Sequence, residues 1–198
     1  MSRKVFDILA SSAGVVVVVV LVIAGGLLTW GHSFVSDNVH TQLSQQQIYF
    51  PPKAAFDHPK AGTEITPSMI PSVSKYAGQQ LLTGAQAKTY ADNFIAVHLS
   101  EMPYGGVYAK ASAASLADPT NTKLQGAVQT IFRGTTLRGL LLEAYAFSTV
   151  GTIMLWGAIA SFIGAAAMAL LVGLGFWHAR RTSEETQVLA AKVVPASS

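Results

Sequence analysis

The chain has no cysteine at any of its 198 positions. That excludes a disulfide framework, a thiolate nucleophile, thiolate-held zinc or an iron–sulfur cluster. Charge is also scarce: Asp, Glu, Lys and Arg make up 12% of residues, against about 25% in an ordinary soluble domain. The net charge of +3 is small and scattered, which argues against nucleic acid as a partner. No repeat of solenoid or propeller period is present. What is abundant is apolar: 51% of residues, with a mean hydropathy of +0.40. The composition points to the lipid bilayer as a partner.

Two blocks carry this excess. Residues 8–30 hold no charge, and at 1.5 Å per residue they exceed the roughly 20 residues that cross a hydrocarbon core. Val15 to Val20 is a β-branched run, but in lipid the backbone must satisfy its own hydrogen bonds, which enforces a helix. Trp30 closes the block as an interfacial aromatic. Ser2-Arg3-Lys4 before it has the order of a signal peptide; the length of the apolar region and the lack of an A-x-A-like site favour an uncleaved signal anchor. The second block has 34 consecutive residues without an ionisable Asp, Glu, Lys or Arg, from Ala144 to Trp177. Its membrane part is placed at residues 150–177, ahead of Arg180 and Arg181.

Orientation is read from the cations. Arg3 and Lys4 flank the first span and Arg180 and Arg181 the second, whereas residues 31–143 balance eight Lys and Arg against seven Asp and Glu. Both termini are expected in the cytoplasm, at residues 1–7 and 178–198, with residues 31–149 mostly outside a plasma membrane.

Residues 31–82 read as an irregular segment rich in Gln and Pro, with five of the eight prolines at 51, 52, 59, 67 and 71. Residues 83–149 read as helical. Thr83 with Gln86 three residues on is a capping box, and Tyr90, Ala91, Phe94, Ile95 and His98 follow at helical spacing, which predicts a helix over 85–102. Pro103, Gly105 and Gly106 stop it. A second helix is expected over 107–117, ended by Asp118-Pro119. A third starts near Thr120, and its apolar row through Leu124, Val128, Ile131, Leu137 and Leu141 can run unbroken into the second span, with a kink near Arg133-Gly134 as the alternative. The expected class is therefore a mainly α membrane protein: two transmembrane helices with a helical extracytoplasmic domain between them.

Chemistry is hard to find. The five histidines show no metal-ligand spacing, there is no nucleophile elbow or phosphate loop, and Asp92 and Glu101 read as a solvated helix face. No catalytic, metal or cofactor residue is assigned, and the chain is expected not to be an enzyme. Neither span carries the intramembrane charge of a transport path. The second span instead shows small residues every fourth position, at Gly157, Ser161, Ala165, Ala169 and Gly173. Such a ridge suits close helix packing, either on the first span with its Ala24, Gly25 and Gly26, on a copy of itself or on a foreign membrane protein. Arg133, Arg138 and Glu143 near the outer interface offer charge to anionic head groups or a partner, unless Arg138 and Glu143 satisfy one another.

The stretch 83–99, together with 132–142 and Gly175-Phe176-Trp177-His178, resembles a family of two-span actinobacterial membrane proteins. That resemblance implies a lineage and a topology, not a reaction. Some members of such families carry the label of an aromatic ring-opening dioxygenase, whose iron needs two histidines and a carboxylate; no residue here is carried over to that role. The expected function is an accessory, scaffolding or assembly component of an envelope complex. The rival is a ligand- or stress-sensing module signalling through the second span, and a membrane-attached enzyme comes third. A pocket formed by Tyr90, Phe94, His98 and Tyr104 alone would favour sensing; an exposed small-residue face on the second span would favour partnership.

Overall fold

Apolar residues repeating every three or four positions over more than forty residues at one end of the chain, and sixty at the other, make helices the dominant element. In the computed structural model, which describes residues 3–59 and 64–181, helix α1 covers Arg3–Gln45 and helix α6 covers Thr122–Arg181. Between them lie α2 (Ile70–Val73), α3 (Gly84–Tyr90), α4 (Ala96–Ser100) and α5 (Tyr108–Ala117), with short 3₁₀ turns at Lys53–Phe56, Pro67–Met69, Ser74–Tyr76 and Pro103–Gly106. The described residues form no strand; one antiparallel bridge joins Tyr49 to Gln80. The chain is thus mostly helical, with more helical pieces than the sequence suggests.

Two expectations shift. The segment expected to be irregular from residue 31 stays helical as far as Gln45. It contains no proline before Pro51, and Val35, Val39 and Leu43 recur on one face, Leu43 fully packed in the core. The helix expected over 85–102 is built in three parts, because residues Ala91–Ile95 between α3 and α4 take a π-helical turn. The kink near Gly134 is absent, and Thr122–Arg181 is one helix. The tail at 182–198 lies outside the described residues.

The chain divides into two units. One joins Met1–Gly31 to Ile153–Ser198. Its helices are both long and apolar enough to cross a membrane. On α6 the least exposed positions are 154, 158, 161, 165, 168, 172, 175 and 179, alternating steps of four and three; on α1 they include 7, 11, 14, 18, 21, 25 and 28 in the same rhythm. That 3.5-residue period is a knobs-into-holes seam. Glycines bring the backbones close: a Cβ on Gly175 would lie 2.3 Å from Ser11 Oγ, and one on Gly14 would lie 2.5 Å from Val172. Away from the seam the faces are apolar and exposed, as at Val16, Leu27, Ile163 and Leu170.

The other unit, His32–Thr152, has its own core. Leu43, Phe50, Met69, Val73, Leu81, Ala87, Ala91, Ile95 and Leu141 are buried together. The Pro-rich stretch wraps this core in an ordered way: Phe50 N–H donates to the Gln79 carbonyl and Leu81 N–H to that of Ile48, both at 2.9 Å. The capping box is formed. Thr83 Oγ1 accepts from Gln86 N–H, while the Gln86 side-chain oxygen accepts from the N–H groups of Leu82 and Thr83 at 2.9 and 3.0 Å.

Candidate functional site

The π-helical turn sets the geometry of a polar corner of the His32–Thr152 unit. A π turn adds one residue to a helical circuit and is found disproportionately at functional sites. Here it carries Asp92. Lys88, one turn earlier on α3, donates to Asp92 Oδ2, and Arg138 of α6 donates to Oδ1 at 2.9 Å. The two cations hold the Asp92 carboxyl below the usual carboxylate range, the Lys88 hydrogen bond contributing most and partial burial opposing. The same bond raises Lys88. Arg138 is therefore paired with Asp92 rather than with Glu143, which is exposed, as is Arg133. The lysine also sits over the Tyr145 ring, 5.3 Å from its centroid.

A ladder of rings flanks this corner. Phe50 meets Tyr90 edge-on at 5.3 Å, Tyr90 meets Phe94 at 4.6 Å and Phe94 meets His98 at 4.6 Å. His98 Nδ1 donates to the Phe94 carbonyl at 2.9 Å, so the imidazole is hydrogen-bonded and half-buried. Burial, and then the charge of Glu64, raise the Tyr90 phenol. Tyr90, Phe94 and His98 line a shallow cleft of about 570 Å³, but Tyr104 does not, and Thr130, Gly134 and Leu137 of α6 form its other side.

A second, more enclosed cleft of about 330 Å³ lies between residues 34–46, at the end of α1, and residues 140–147 of α6. Val35, Val39, Leu43, Leu140 and Ala144 give it apolar walls, Phe34 and Phe147 flank them, and Asn38, Gln42, Gln46 and Glu143 supply the polar edge. Nothing in the spacing of these residues singles them out, because the stretch 31–45 reads as a polar loop until its helical face is seen.

The small-residue row of α6 divides. Gly157 and Ser161 are half-buried and Ala165 is buried; a Cβ on Gly157 would lie 3.2 Å from Leu28 of α1. Ala169 and Gly173 are exposed, with open space beside Gly173. A strict four-residue row turns 400° per step on a 100° helix, so it drifts off a seam of period 3.5. On α1, Gly25 packs against Phe162 and Gly26 faces open space.

Among the described residues there is no cluster of three or more His, Asp or Glu able to hold a metal ion. Compared with family models, with curated proteins and with solved structures, the chain finds no match in any of the three.

Proposed function

We propose that this chain is a non-catalytic, two-pass plasma-membrane protein, with both termini in the cytoplasm, that serves as an accessory, scaffolding or assembly component of a larger envelope complex. The supporting observation is the split of the small-residue row. Its first three members lie toward α1, while Ala169 and Gly173 turn outward and leave a strip with almost no side-chain bulk. Another transmembrane helix can approach such a strip closely enough for van der Waals packing to hold it.

The test is a mild-detergent pull-down of the tagged full chain from native membranes, with co-purifying chains quantified against an untagged control. A stoichiometric set of partners is expected, and it is lost when Ala169 and Gly173 are both replaced by Leu while the membrane level of the chain is unchanged. Recovery of the chain alone overturns the subunit reading.

A second reading, an extracytoplasmic sensing module, has weaker support: the cleft at the π turn holds Tyr90, Phe94 and His98 but not Tyr104, and Thr130, Gly134 and Leu137 of α6 line it as well. It expects a small molecule that raises the thermal midpoint of the full chain and loses that effect in Phe94→Ala.

A further inference from the structure

We propose that the cleft between residues 34–46, at the end of α1, and 140–147 of α6 holds one acyl chain of an uncharged bilayer lipid, drawn up beyond the outer membrane interface. The inference rests on reading the two long helices as spans and is independent of the accessory role.

The walls are hydrocarbon over a length suited to a chain-shaped ligand. Residues 34 to 45 cover roughly 16 Å of α1 and residues 140 to 147 roughly 10 Å of α6. Phe34, Leu140 and Phe147 along the cleft each keep more than half of their side-chain surface exposed. Apolar surface in that position, outside residues 8–30 and 150–177, gains from being covered. At about 330 Å³ the cleft is of small-ligand size.

The edges define the head group. Asn38 and Gln42 stand one turn apart on α1 and Gln46 follows just past its end, all three presenting neutral amides, and among the described residues the single ionisable one lining the cleft is Glu143. Among the described residues no lysine or arginine lines it to meet a phosphate or carboxylate, so an anionic lipid would face a like charge. Hydroxyl and ester groups, in contrast, can bond to amides. The cleft also opens where lipid is at hand: Phe34 follows the interfacial Trp30 by one turn of α1, and Phe147 precedes Val150 by one turn of α6.

The experiment uses the full chain in phosphatidylcholine vesicles containing a minor fraction of diacylglycerol with a diazirine in one acyl chain. A parallel sample contains phosphatidic acid with the same photoactive chain. After illumination, labelled peptides are mapped by mass spectrometry. Diacylglycerol should label residues 34–46 and 140–147 several-fold more than phosphatidic acid, and both should label the two spans equally. Ala144→Phe, which fills the cleft, should abolish the first signal and leave the second, and Val39→Phe should do the same if Ala144→Phe fails to fold. Labelled spans with an unlabelled cleft overturn this inference alone. Equal labelling of the cleft by both lipids overturns the assignment of an uncharged head. A cleft signal that survives both fillings also overturns it, and no labelling of the spans overturns the membrane reading itself.

Discussion

Arg138 finds its counter-ion 46 residues away, at Asp92, across two elements that no local pattern connects. Lys88 and Asp92 are legible as an (i, i+4) pair on one helix, but a long-range partner is fixed only when α6 packs beside the π turn. Asp92→Asn should cost about 0.5–1 kcal/mol at neutral pH, given how much of the Arg138 pair solvent still reaches. Its folded carboxyl titrates below the unfolded value of about 3.9. The stabilisation is thus complete above that value and is lost as pH falls through the folded value. Thermal midpoints of wild type and Asp92→Asn, measured in the same micelles, should differ by a constant amount down to about pH 5 and converge below about pH 4. Gln86 is the other residue on which much depends. It is 7% exposed, caps α3, and donates from Nε2 to Gln79 Oε1 at 3.1 Å. Gln86→Ala leaves the half-buried N–H of Leu82 and the more exposed N–H of Thr83 without their acceptor, at about 1 kcal/mol, seen as a lower thermal midpoint of the full chain.

At the scale of elements, what could be read was local and what could not was tertiary. The capping box, the ring-bearing helix after it, the stop at Pro103 and the start of α6 were all visible, because caps, prolines and helical spacing act within a few residues. The continuation of α1 to Gln45 was not. Its apolar stripe is a single row of Val35, Val39 and Leu43 among polar residues, and only the core that receives Leu43 makes that stretch a helix. The π turn was invisible for a similar reason, since adding one residue to a circuit leaves the apolar spacing almost unchanged. Where α1 and α6 pair, the regular small-residue row is the conspicuous pattern in the sequence, but the helices are seated on the seam that includes Gly14, Gly25 and Gly175. That difference can be measured. Gly175→Leu must displace the Ser11 hydroxyl and should cost about 1–3 kcal/mol, whereas Gly26→Leu, with open space beside it, should leave unfolding of the detergent-solubilised chain unchanged.

For the whole molecule the first expectation is orientation. A cysteine at Ser112 should react with a membrane-impermeant maleimide in intact cells, and one at Ser197 only after lysis; because the chain has no cysteine of its own, each signal belongs to one site. The reverse pattern would invert the topology. The second concerns how the two units are joined. The crossings at residues 31 to 32 and 152 to 153 both fall inside helices, α1 and α6, and neither is a loop. A protease needs several residues in extended form, and exposed linkers between domains ordinarily provide them. Here both crossings keep their backbone bonded within a helix, so neither offers a protease an exposed, extended linker. Limited proteolysis of the detergent-solubilised chain should therefore release no intact fragment with the mass of His32–Thr152.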